Sequence, residues 1–252
     1  MKEYGGLMMV HISNCRFAFL ALIFFVLACS AAAQEQLTYG SKVLPHDVDE
    51  GKALSQFYIG PEFVFVDGNL KRLFDDGDPV YIHFDPSSST IDENDVRITP
   101  LGIFAAGSQV RLTDVDHGNT FMRFGTDFIP AAELRYFDVD GDRAYSQNDP
   151  VYLDLGPGRI TAGDIRITSY RDYPAGSRVR NSDSDSDKPT STLPGMLSFY
   201  NYNGNINNRG WGIYDEGDIV YIDTQFPFNE ITVNDVRISM AYGSFDLGAL
   251  SQ

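Results

Sequence analysis

The stretch Asp138-Val139-Asp140-Gly141-Asp142-Arg143-Ala144-Tyr145-Ser146-Gln147-Asn148-Asp149 puts carboxylates at positions 1, 3, 5 and 12 of a twelve-residue run. Oxygen ligands at alternate positions let a short loop wrap a hard divalent cation. In that reading Asp138, Asp140 and Asp142 offer side-chain oxygens. Ala144 offers its carbonyl, Ser146 binds directly or through water, and Asp149 closes the set. Tyr145 pins the loop to a core. Calcium is the expected cation. A competing reading is an acidic turn whose Asp side chains cap backbone N–H groups.

The spacing resembles a calcium loop of the EF-hand or dockerin type, over these twelve residues only. Gly141 falls at position 4 where such loops put glycine at 6, and the last residue is Asp where they use the longer Glu. Pro150 and a strand-like run follow, so two flanking helices are not expected. Related stretches elsewhere are poorer in charge. Asn201-Tyr202-Asn203-Gly204-Asn205 keeps the frame but replaces each carboxylate with an amide, and Asp67-Gly68-Asn69-Leu70-Lys71 puts a cation where a ligand is wanted. Calcium is therefore expected to stabilise one corner of the fold, not to serve catalysis.

Other reactive constellations are sparse. Beyond the leader, His46, His83 and His117 stand far apart in sequence, with no HxxxH or HxH pair, and neither a G-x-S-x-G nor a phosphate-cradling glycine loop occurs. The expectation is a protein that is not an enzyme. Trp211, with Tyr200, Tyr202 and Tyr214 nearby, could line a sugar-binding platform or fill a core. The formal charge of −16 argues against nucleic acid or an anionic bilayer as partner.

The elements that hold these residues recur three times. Asp78-Pro79-Val80-Tyr81-Ile82-His83-Phe84 precedes Asp95-Val96-Arg97-Ile98-Thr99; Asp149 to Leu155 precedes Asp164-Ile165-Arg166-Ile167-Thr168; Asp218 to Thr224 precedes Asp235-Val236-Arg237-Ile238-Ser239. The three tyrosines are 71 and 69 residues apart, and the Tyr-to-Arg gaps are 16, 14 and 16. Ala106-Gly107-Ser108-Gln109-Val110 matches Ala175-Gly176-Ser177-Arg178-Val179, with Gly243-Ser244-Phe245 as a weaker third. Apolar residues alternate with Tyr, Arg, His or Asp, which predicts antiparallel strands buried on one face. The three arginines read as structural partners of Asp or Tyr across a sheet.

The predicted fold class is all-β: three tandem repeats of roughly 70 residues, built as antiparallel β-sandwich-like units. The expected organisation is a signal peptide at 1–33, repeat one at 34–112, repeat two at 113–180, a flexible polar linker at 181–195 and repeat three at 196–252.

Residues 17–28 are an unbroken apolar run of 12, preceded by Lys2 and Arg16 and followed by Ala31-Ala32-Ala33. This reads as a secretory leader cut after Ala33. Val26-Leu27-Ala28-Cys29 also resembles a lipoprotein box, and only lipidation of Cys29 would bring a membrane into play; an uncleaved anchor is the third reading. Cleavage would remove both cysteines, Cys15 and Cys29, and leave a net charge of −17. Stability would then rest on the core, bound ions or assembly.

The repeated pattern D-P-V-Y-[IL] followed by D-[VI]-R-[IL]-[TS] resembles that of exported surface proteins of methanogenic archaea, the major sheath protein and surface-layer type. The resemblance implies a secreted structural protein of the extracellular cell envelope that self-assembles as a homo-oligomer, with other envelope components as partners. It implies no catalytic residues. The alternative is a calcium-stabilised extracellular module that binds glycan or a surface partner.

Overall fold

A computed structural model describes residues 37–240, apart from 59, 127–128, 130, 157 and 207–211. The leader, Trp211 and Gly243-Ser244-Phe245 lie outside the described residues. The described part is all-β, with no helix. Twelve strands form three four-stranded antiparallel sheets.

The first sheet contains β2 (Glu62–Phe65), β3 (Val80–His83), β4 (Val96–Arg97) and β5 (Met122–Arg123), in the order β4-β3-β2-β5. The second contains β6 (Glu133–Tyr136), β7 (Val151–Asp154), β8 (Ile165–Arg166) and β9 (Ser191–Thr192), in the order β8-β7-β6-β9. The third joins β10 (Met196–Tyr200), β11 (Ile219–Asp223) and β12 (Val236–Arg237) to β1 (Ser55–Gln56), in the order β12-β11-β10-β1. The repeated Tyr-to-Arg spacing has a direct cause in the register: Tyr81 faces Arg97, Tyr152 faces Arg166, and Tyr221 faces Arg237.

One face of each sheet points to a common core. Val80, Ile82, Val96 and Ile98 meet Val151, Leu153, Ile165 and Ile167, together with Val220, Ile222, Val236 and Ile238, in a single apolar cluster. Each such buried side chain stabilises the fold by about 1.5–3 kcal/mol. A single repeat could not cover its own face, so the three form one compact body.

The expected half-buried strands are buried on both faces: β3, β7 and β11 are fully enclosed. The second layer is irregular chain, not a second sheet. In the first two units it is the stretch just after the Arg strand, bridged at Val96–Gln109 and at Ile165–Arg178. In the third unit it comes from the other end of the described chain. Lys42 bridges Val236, Ala53 bridges Glu230, and β1 pairs with β10.

Three expectations about organisation give way in the structure. The third repeat is discontinuous, made of 196–240 and 37–56, so the segment assigned to the start of repeat one belongs largely to repeat three. The linker expected at 181–195 is built into repeat two: Asp185 is fully buried and β9 pairs with β6. Low complexity misled because its carboxylates are the counter-charges of a buried arginine. The boundary at 112 likewise moves, since Asp116 and β5 belong to the first unit.

Candidate functional site

Burying a guanidinium costs several kcal/mol unless its five N–H groups find acceptors. In the second unit Arg166 is fully buried and all five are satisfied. Nε and Nη2 grip Asp185 at 2.8 and 2.7 Å, and Nη2 also donates to Asp183 at 2.7 Å. Nη1 donates to Ser177 Oγ and to the Arg178 carbonyl. The Tyr152 hydroxyl donates to Asp185 at 2.9 Å, and the Tyr173 ring covers the guanidinium at 4.2 Å.

The other units reproduce this cluster. Arg97 holds Asp116 and Asp114, with Ser108, the Gln109 carbonyl, Tyr81 and the Phe104 ring in the same roles. Arg237 holds Asp49 and Asp47, with Ser41, the Lys42 carbonyl and Tyr221. The arginines stay charged despite burial because the two carboxylates outweigh the desolvation. In return, the hydrogen bond from Arg166 holds Asp183 below the usual carboxylate range. Asp114 is lowered as well: burial works against its charge, but Arg97 overrides it. With every donor engaged, this arrangement fastens the second layer to the sheet and leaves no guanidinium N–H for a ligand.

The sequence reading placed the arginines as structural but missed their partners. The signal was available: in all three copies a Gly-Ser is followed, six and eight residues after the Ser, by Asp. The third copy is Gly40-Ser41 with Asp47 and Asp49, and it was hidden by its distance from the rest of its unit.

The same motif ties neighbouring units together in a cycle. A Cβ added to Gly107 would sit 2.6 Å from Tyr39 Cβ, to Gly176 2.6 Å from Ala106 Cβ, and to Gly40 2.6 Å from Ala175 Cβ. All three glycines also have φ between +71 and +81°, so no other residue fits comfortably. The residue after the Ser then reaches a neighbouring unit's polar loop. Lys42 donates to the carbonyls of Ser146 and Asp149, Arg178 to that of Asp78, and Gln109 to the Tyr214 hydroxyl at 2.8 Å. Burial lowers the Lys42 pKa to about 8, against the opposing pull of Asp149.

These polar loops include the acidic stretch singled out in the sequence. Its closing Asp149 is fully buried and caps two backbone N–H groups, from Val139 and Ser146, both at 2.8 Å. Asp78 and Asp218 cap the equivalent groups in the sister loops. Asp138 accepts from the N–H groups of Gly141 and Arg143, Asp140 from Asp142, and Asp142 from Ala144. The turn-capping role is thus present throughout the loop.

Asp138, Asp140 and Asp149 also bring one oxygen each to within 4.8 Å of one another, a spacing that fits a hard cation. Asp142 is not in that group. The Ser146 carbonyl already accepts from Lys42, which places a protein cation beside the loop. The sister loops fill the corresponding space with protein donors: Lys71 and Asn69 converge on Asp75, and Asn203 and Asn205 on Asp215. The second loop has carboxylates or Ser146 at all these positions.

The tyrosines proposed for a sugar platform have different fates. Tyr214 is packed against Phe57, Phe84 and Phe199. Tyr200 joins the cluster of Val43 and Leu54, and Tyr202 remains 44% exposed. A cleft lies elsewhere, between units one and two; it has a volume of about 580 Å³ and is lined by Leu73, Phe74, Phe124 and Leu155, with Asp76 and Arg180 at its polar side. It opens where Phe74 and Gly163 stand in place of the Tyr–Asn contacts of the other two junctions, Tyr145 to Asn234 and Tyr214 to Asn94.

Comparison of the chain with family models, with curated proteins and with solved structures gave no match.

Proposed function

We propose that this protein is a secreted structural component of the extracellular cell envelope, of the sheath or surface-layer type, that self-assembles and has no catalytic role. The observation that carries this reading is how the buried polar residues are used. In each unit Arg, Asp and Tyr close on one another and on backbone, fastening the fold without a disulfide among the described residues. That suits a protein whose work is to persist outside the cell. A concentration series followed by light scattering and electron microscopy tests it. Ordered assemblies are expected at high concentration, and a stable monomer throughout would refute it.

A second reading is a calcium-stabilised module for glycan or a surface partner. It draws support from the convergence of Asp138, Asp140 and Asp149 and from the cleft beside Phe74. Calcium would act there as a stabiliser of the second loop. The packing of Tyr214 against Phe57 and Phe199 counts against the platform first expected for it.

A further inference from the structure

We infer that copies of this chain join by exchanging the segment 37–56, each copy completing the third unit of the next. The inference rests on the self-assembly proposed above and names its partner and its contact.

In units one and two the layer that satisfies the buried arginine follows its own strand directly: Asp116 is 19 residues from Arg97, and Asp185 is 19 from Arg166. In unit three, Asp49 is 188 residues from Arg237. The third unit is therefore a slot filled by a segment that reaches it only through one connection. That connection is short: it runs from Phe57, which packs on Phe84 and Phe199, to β2, and carries Gly60-Pro61.

The slot is built for this occupant. Val43 N–H donates to Asp235 O, Leu54 N–H to Asn229 O, and Gly51 N–H to Ile231 O. Val43 is fully buried. Without the segment, Arg237 and Tyr221 would lose their acceptors and the β10 edge would be unpaired, a template for another chain. The same segment from a second copy restores all of these contacts, because they depend on sequence and not on which chain supplies it. Short hinges between an element and its body favour such exchange. At low concentration the tethered segment wins, since a short linker gives it an effective concentration of about millimolar. At higher packing density exchange competes. Donor and acceptor surfaces differ, so the contact is head-to-tail and builds open filaments or closed rings.

The test uses the full chain with Cys15 and Cys29 changed to serine. Gln56 and Ser198 are direct cross-strand partners, and Ser198 is buried with an unpaired hydroxyl, so cysteines at both positions fit. First, the double variant Gln56→Cys/Ser198→Cys is oxidised as a dilute monomer. It is expected to form an internal disulfide and then to lose assembly on concentration. Failure to form that bond overturns the closure on which the inference stands. Second, the two single variants are purified separately, mixed, concentrated and mildly oxidised. The assembled fraction is expected to contain a disulfide between the two variants, identified by peptide mass spectrometry and missing from the monomer fraction. Assemblies without that bond overturn segment exchange and leave the structural reading standing. A chain that stays monomeric at every concentration overturns both.

Discussion

Asp49→Ala isolates the contact that closes the third unit. The carboxylate takes three hydrogen bonds, from Arg237 Nε at 2.7 Å, Arg237 Nη2 at 2.5 Å and the Tyr221 hydroxyl at 2.6 Å. Removing it leaves three buried donors, two of them on a guanidinium that keeps only Asp47 as counter-charge. Breaking a buried pair costs about 3–5 kcal/mol, and three unsatisfied donors at roughly 1–3 kcal/mol each point the same way. For a body of this size each kcal/mol lowers Tm by about 2–4 °C, so a fall of about 6–20 °C is expected. A melt followed by circular dichroism reads it. Lys71→Ala, which breaks an exposed and solvent-screened pair, is the control and should leave the melt nearly unchanged. Changing Arg237 to Met in the Asp49→Ala background should recover part of the loss, because it removes the stranded charge. If Asp49→Ala melts within about 2 °C of the parent, the closure is not as described.

Three further outcomes follow. Burial pushes Asp164 and Asp218 up to about 6, as it does Asp223, where the Asp235 charge adds to it. Each then binds its proton more tightly folded than unfolded, so stability should fall by on the order of a few kcal/mol between pH 4 and pH 6; Asp114 and Asp183, held low by arginine, act oppositely and lose their contribution only under stronger acid. A melt series should therefore peak near pH 4, and a rise in stability from pH 4 to pH 7 would contradict it. Gly176→Ala should cost about 2–5 kcal/mol, from positive φ and a Cβ against Ala106, whereas Gly118→Ala, at φ +80° with nothing within 4 Å, should cost only about 1–2 kcal/mol by denaturant titration. If the second loop takes calcium, adding it should raise the parent's Tm and leave Asp140→Asn unmoved; equal shifts in both would place any effect elsewhere.

The repeated strands were legible because period-two alternation and the Tyr–Arg register both write themselves into local sequence. The all-β class followed from them. What closes the units was harder to read. Asp183 and Asp185 sit in a stretch whose composition signals a solvated linker, and their burial depends on Arg166, invisible without the pairing. The third copy at Gly40-Ser41 was obscured because sequence order places it before the first unit, while its contacts lie with the last. The acidic loop announced its charge, but the caps made by Asp149 in common with Asp78 and Asp218 belong to the turn itself.

Native-state hydrogen exchange on the segment 39–56 tests closure of the third unit most directly. Val43 and Leu54 donate their N–H groups to Asp235 and Asn229, so both should be strongly protected and exchange only when the segment detaches from its unit. Exchange of these amides within seconds, while β11 stays protected, would show that the segment is not part of the unit it is said to complete.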